Sequence, residues 1–224
     1  MGRLNPSPFI LLYIILVLAV LNACNTDRLR HIETINLVAI PSAIKNSFKS
    51  GDIIVRKGGG ALSYAIMNTT KEPYSHCGII VRNHDSLTVI HAIADILSES
   101  NEDGVQAISL NNFVRLTTDS MLFVCRPIFE DSLGIKLANE AIIMLNKKLP
   151  YDHRYNLSSE NKIYCSELIY RAFLNATGQN VFKIKKVGKL DILLFETFND
   201  TTKFKMLYNL NGSKLKSVKM EFKP

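Results

Sequence analysis

Apolar positions recur along this chain at two periods, and the two periods sort it into elements. Cys165, Leu168, Ile169, Ala172 and Phe173 fall at i, i+3, i+4, i+7 and i+8, one face of an α-helix that begins at the cysteine. Asn161 or Ser159 can cap that helix, and Gly178 is placed to end it. Leu133, Leu137, Ala141 and Leu145 mark a second helix over 131–148, with Lys147 and Lys148 in its last turn and Pro150 as its stop. Short apolar runs bounded by turn residues predict strands over 51–57, 76–82, 87–92, 104–110 and 121–126. The turn Asn83-His84-Asp85-Ser86 joins two of them into an antiparallel hairpin. Gly58-Gly59-Gly60 breaks the chain before a short helical piece, Ala61 to Met67, and residues 69–74 read as a loop. Residues 111–117 have room for one or two helical turns, and the tail is strand-rich. The fold class is α+β: a small antiparallel sheet packed with helices.

The amino terminus has a different pattern. Arg3 precedes an apolar run, Phe9 to Leu21, shorter than the roughly 20 residues of a stable membrane span. The run ends in Leu21-Asn22-Ala23-Cys24, which resembles a bacterial lipobox. That resemblance implies cleavage before Cys24 and lipidation of its sulfur. The alternative is an uncleaved anchor with a chance cysteine, and it too places the domain outside the cytoplasm. The expected organisation is a signal peptide at 1–23, a lipidated tether at 24–44 and a folded domain at 45–224. The expected location is the bacterial cell envelope, anchored to a membrane and facing the periplasm or exterior.

Charge and cysteine use narrow the function. The net charge is +7, with lysines concentrated at Lys203, Lys205, Lys214, Lys216, Lys219 and Lys223. Their alternation with apolar residues reads as the solvated face of an edge strand. Nucleic acid is not an expected partner, because aromatic–basic interleaving is missing from an exported chain. Of four cysteines, lipidation of Cys24 leaves three. Cys77 and Cys125 lie in apolar strands and read as small buried hydrophobes, with a disulfide between them open in an oxidising compartment. No C-x-x-C or H-E-x-x-H spacing signals a metal, and no cofactor motif is present. Nothing in the sequence sets an oligomeric state.

Cys165 is the candidate nucleophile. A thiol in a helix's first turn feels the positive end of the macrodipole, which favours thiolate. Backbone N–H groups there can also hold an oxyanion. The base must come from elsewhere in the fold. His76, at the start of a strand in Ser75-His76-Cys77-Gly78-Ile79, is placed to take and return the proton. His91, in Val89-Ile90-His91-Ala92 on the neighbouring strand, can reach the far nitrogen of His76. His84 and His153 fall in a turn and a loop, and Glu167 faces away from Cys165, free to pair with a nearby base.

Gly51-Asp52-Ile53-Ile54, Ser75-His76-Cys77-Gly78-Ile79, Val89-Ile90-His91-Ala92 and Tyr164-Cys165-Ser166-Glu167-Leu168 occur in that order. Together they resemble the YiiX-like branch of the NlpC-type, papain-like cysteine hydrolases, over about Gly51 to Leu194. In that branch the papain order is circularly permuted, so histidine precedes cysteine. The resemblance implies Cys165 as nucleophile, His76 as base and His91 as third polar residue. Relatives often carry Glu at that third position, whereas histidine is used in the similar lecithin retinol acyltransferase-like group. It also implies a tyrosine near the site, with Tyr74, Tyr151 and Tyr164 as candidates.

Three functions compete on this reading. The first is a cysteine amidase or peptidase, with a murein peptide as the natural substrate of an exported protein. The second is a thiol hydrolase or acyltransferase acting on an acyl lipid. The third is a binding module without turnover. An apolar groove beside Cys165 would favour the lipid, and a polar cleft with a positive pocket would favour the peptide.

Overall fold

The computed structural model describes residues 38–98, 102–130 and 132–211. The signal-peptide, lipidation and tether readings up to residue 37, and the lysines from Lys214 onward, lie outside the described residues. Six antiparallel strands form the main sheet, in the order β4-β3-β2-β1-β5-β8. They are β1 (Ile53–Arg56), β2 (His76–Asn83), β3 (Ser86–Ile93), β4 (Gly104–Ser109), β5 (Met121–Pro127) and β8 (Phe204–Asn211). A separate hairpin pairs β6 (Ile184–Val187) with β7 (Leu190–Leu193). The helices are α1 (Ser42–Ser47), α2 (Gly60–Thr70), α3 (Leu110–Arg115), α4 (Leu133–Asn146) and α5 (Cys165–Thr177). The elements predicted within the described residues are present, and β8 closes the sheet as an edge strand.

Strand alternation divides the interior into two cores. Ile53, Val55, Cys77, Ile79, Phe123 and Cys125 face α4 and α5 and form the larger one. Ile54, Ile80, Val89, Leu122 and Val124 face α3, whose Leu110, Phe113 and Val114 close the smaller one. This explains the apolar run Ile53-Ile54-Val55 in β1: the strand is covered on both sides, and all four of its residues, Arg56 included, are buried. Val38, Ile40 and Phe48 join the smaller core, so the packed chain begins before residue 45.

The antiparallel arrangement also decides the disulfide. Cys77 pairs with Val55 across β1, and Cys125 pairs with Ile53 on its other side. Strands are spaced about 4.8 Å apart, so a cysteine pair separated by an intervening strand exceeds the roughly 7 Å reach of a disulfide. Cys77, Cys125 and Cys165 are all free.

Candidate active site

Tyr164 is the N-cap of α5, which makes Cys165 its first helical residue. The cap differs from the Asn161 or Ser159 expected from sequence. The carboxylate of Glu167 reaches back to accept the Tyr164 N–H at 3.2 Å, half of a capping box that needs no cap hydroxyl. Glu167 is itself held by Arg171, whose Nε and Nη2 lie 3.0 and 2.5 Å from Oε1. Burial pushes the Glu167 carboxyl up to about 7, against the pull of Arg171. Glu167 therefore fixes the first turn of α5, where Cys165 sits, without facing the thiol. Gly178 ends α5 with φ 70°, the left-handed conformation that glycine adopts without strain.

The Cys165 thiol donates toward the Ser75 carbonyl at 3.9 Å, so it sits against the residue that precedes His76. Its pKa is held below the usual thiol value chiefly by a hydrogen bond with the Cys77 thiol. Burial opposes that, and the backbone N–H groups of Ser166, Cys77 and Cys165 reinforce it. Cys77 is thus more than a small buried hydrophobe: its thiol and its N–H both face the Cys165 sulfur. The sequence signal was its place next to His76, on the side of β2 that alternation turns toward α5.

His76 and His91 do meet. His76 Nε2 lies 2.8 Å from His91 Nδ1, the pairing that the hairpin suggested. Gly78 permits it, because a Cβ there would lie 3.1 Å from the His91 Cβ. Both rings lie on the smaller-core side of the sheet. His76 stacks on Phe113, with centroids 5.4 Å apart and planes at 23°, and His91 meets the same ring edge-on at 5.6 Å. The Arg56 guanidinium lies over the same ring, 4.9 Å from the Phe113 centroid. Burial, then Arg56, then His91 hold His76 well below the usual imidazole value. Burial and Arg56 push His91 down to about 3. Both imidazoles are therefore neutral at pH 7. Nδ1 of a neutral His91 can accept a hydrogen bond from the Nε2–H of His76, which leaves His76 Nδ1 as the basic nitrogen. The thiol and the His76 ring approach the beginning of β2 from opposite faces of the sheet, and the described hydrogen bonds do not join them.

The three tyrosines separate. Tyr151 is buried, its hydroxyl is 3.2 Å from that of Tyr155, and it lines the same cavity as His76. Tyr164 is buried beside Cys165, with its hydroxyl unpartnered. Tyr74 packs edge-on against Phe123 at 4.9 Å and lines a different cavity, away from Cys165 and His76. Tyr155, not singled out from the sequence, completes the Tyr151–Tyr164 cluster, 5.2 Å from the Tyr164 ring.

Other polar residues have structural partners. Asp52 accepts from Arg126 at 2.6 and 2.8 Å and from the Lys49 N–H at 2.7 Å, which ties β1 to β5. Asp95, Asp103 and His153 bring potential metal-ligand atoms within 4.8 Å of one another. They are joined by hydrogen bonds, with His153 Nε2 3.1 Å from Asp103 Oδ1 and the Tyr151 N–H donating to Asp103 Oδ2 at 3.1 Å.

One cavity meets His76 and another meets Cys165. The first, of about 350 Å³, is lined by His76, Ser75, Ser63, Arg56, Thr117 and Tyr151 among others. The second, of about 160 Å³, has Cys165 in its wall and is lined mostly by carbon: Leu62, Ile66, Leu190, Ile192 and Phe195. Ile66 of α2 borders both.

Comparison with known proteins fits this geometry. The family described as "Permuted papain-like amidase enzyme, YaeF/YiiX, C92 family" matches residues 47–211. The uncharacterized protein YiiX of Escherichia coli K12 is 27% identical over 156 residues, which are 70% of this chain and 72% of that protein. The crystal structure of the metalloprotein yiiX from Escherichia coli O157:H7 aligns with a TM-score of 0.60 at 22% identity, covering 72% of this chain and 97% of that one. A thiol at a helix start, a histidine ahead of it in sequence and an antiparallel sheet between them follow from membership in that family: the chain belongs to the permuted papain-like amidases of the YaeF/YiiX group, and it is a cysteine amidase/peptidase-type hydrolase.

Proposed function

We propose that the chain hydrolyses an amide in the bacterial cell envelope with Cys165, His76 and His91. Cys165 Sγ attacks the carbonyl carbon, and its proton passes to His76. The backbone N–H groups of Cys165, Ser166 and Cys77 carry the developing oxyanion. The scissile C–N bond breaks as His76 returns the proton to the amine. Water then attacks the thioester, releasing the acid and restoring the thiol. His91 stays neutral and fixes which nitrogen of His76 works. The single observation that carries this reading is the His76–His91 pair at 2.8 Å, with the Cys165 thiol set against the carbonyl of Ser75, the residue before His76.

A neutral resting histidine means that most of the thiolate's stabilisation comes from Cys77 and the backbone, not from a preformed imidazolium. Closing the thiol onto His76 Nδ1 requires movement at the start of β2. Lipidation of Cys24 would hold the domain on a membrane, where murein peptides are the nearest amides. Replacing Cys24 with Ala should move the protein from the membrane to the soluble fraction. The acyl-lipid reading has its own support in the carbon-lined cavity beside Cys165. The E. coli structure carries the word metalloprotein in its title. Asp95, Asp103 and His153 are the set here that would suit a hard divalent cation. No step through Cys165 uses it.

The test is the rate of iodoacetamide labelling of each thiol against pH in a fragment beginning after Cys24. Cys77 and Cys125 serve as internal controls. Cys165 should react with an apparent pKa below the unperturbed ~8.5. His76→Ala should abolish turnover in a folded protein, and His91→Gln should slow it less. A Cys165 as inert as the other two thiols, in a folded protein, would sink the mechanism.

A further inference from the structure

The partner that Cys165 meets in this structure is another thiol. Its sulfur lies 3.9 Å from the Ser75 carbonyl, and both the N–H and the thiol of Cys77 hydrogen-bond it. The two side chains share the larger core, and both are buried. Cys165 is still within reach of a small molecule, because it lies in the wall of a cavity of about 160 Å³. Cys77 lines neither that cavity nor the one beside His76.

Cys125 has no such role. It pairs with Ile53 on the far side of β1, whereas Cys77 pairs with Val55 on the near side. Burial pushes the Cys125 thiol well above its usual value, so it stays protonated and inert. Cys165 combines three properties: its environment favours thiolate, a cavity leads to it, and a second thiol touches it. Small oxidants attack a sulfur of that kind, and a neighbouring thiol then resolves the product. This step rests on the reactive Cys165 thiolate proposed above.

We infer that a hydroperoxide joins Cys165 to Cys77 in a disulfide, which holds the enzyme in an inactive state that a dithiol reverses. The Cys165 thiolate attacks one oxygen of the peroxide and the O–O bond breaks. The other oxygen leaves as water or an alcohol, with the proton that Cys165 gave up. The peroxide is reduced by two electrons, and Cys165 becomes a sulfenic acid. The Cys77 sulfur then attacks Cys165 Sγ, the S–S bond forms, the S–O bond breaks, and the hydroxyl departs as water with the Cys77 proton. Two thiols and one hydrogen peroxide thus give one disulfide and two waters. The sulfurs already touch, so an S–S bond of about 2.05 Å closes a short gap. In that state Sγ has no thiolate to offer a carbonyl and is tied to the Cys77 side of β2, across the sheet from His76. The consequence is protection: a sulfenic acid without a resolving thiol is carried by further peroxide to the sulfinic acid, which thiols do not reduce.

The experiment treats the full chain, reduced and purified in detergent, with hydrogen peroxide. The protein is then quenched with iodoacetamide in denaturant and digested without reduction for mass spectrometry. The expected result is a linked Cys77–Cys165 peptide, lighter by two hydrogens than its two parts. Labelling of Cys165 by iodoacetamide in the native protein should be lost with its formation and recovered on adding dithiothreitol. Cys77→Ser keeps a donor beside Cys165 but has no sulfur to resolve the sulfenic acid. In that variant peroxide should carry Cys165 to the sulfinic acid, and dithiothreitol should no longer restore labelling, with circular dichroism confirming the fold. A Cys165 that alkylates readily but forms no bridge to Cys77, or bridges Cys125 or a second chain instead, would overturn the inference and leave the mechanism standing. A Cys165 that resists both iodoacetamide and peroxide, in folded protein, would overturn both.

Discussion

Cys77 is the residue whose role changed most between sequence and structure. By composition it is a small apolar side chain inside a strand, and it is fully buried. Burial, and then a hydrogen bond between its thiol and the Cys165 sulfur, push its own pKa well above the usual thiol value. It therefore stays protonated and can donate to a thiolate. Cys77→Ala should move the pH profile of Cys165 alkylation upward, and Cys77→Ser should restore it, because a hydroxyl still donates. No shift in Cys77→Ala would assign the stabilisation to the backbone alone. His91 supplies a second test at this scale. Its folded pKa, about 3, lies below the ~6.5 of an unfolded histidine. The unfolded chain therefore binds a proton that the folded one refuses as pH falls from 6.5 toward 3. Stability should fall across that window with a slope approaching about 1.4 kcal/mol per pH unit from this group. His91→Gln should remove roughly one proton's worth of slope in urea titrations between pH 6.5 and 4.5. An unchanged slope would mean that His91 is protonated in the native protein.

Elements carry the part of the site that was readable in advance. The 3.6 period placed Cys165 at the start of α5, and the period of two placed His76 and His91 on paired strands. Those signals are local, and local signals survive folding. What could not be read is which face each side chain meets across strands distant in sequence. Alternation says that His76 and Cys77 oppose each other, but only packing says that α5 covers the Cys77 side and Phe113 the histidine side. The same limit hid the N-cap: Glu167 replaces the expected cap hydroxyl because Arg171 orients it. Gly78 shows how tightly the β2–β3 pair is drawn. A Cβ there would lie 2.5 Å from Val89 Cγ1 and 2.8 Å from the Ile90 carbonyl. Gly78→Ala should cost about 1–3 kcal/mol in overpacking and separate the two imidazoles. Thermal unfolding and turnover of the folded fraction should fall together; a variant with wild-type turnover would show that the strands can part without disturbing the pair.

At the scale of the molecule, the sheet is a partition with the Cys165 thiol on one side and the two imidazoles on the other. The larger core, on α4 and α5, holds Cys165; the smaller core, on α3, holds the ring that both histidines touch. A packing defect therefore has consequences that depend on where it lies, not only on its size. Leu137 is fully buried in the larger core, away from the histidines. Leu137→Ala should cost about 2–5 kcal/mol and leave the turnover of each folded molecule close to wild type. Phe113→Ala, in the smaller core, should cost about 3–5 kcal/mol and also remove the surface that holds both imidazoles upright. Measured at a temperature where both variants are folded, only Phe113→Ala should lower kcat, because only it removes the ring on which His76 stacks. Equal losses of kcat in the two variants would mean that the site senses stability as a whole, and that the partition has no catalytic meaning. A loss confined to Phe113→Ala would place the restraint on the base in α3, an element that contributes no group to the chemistry.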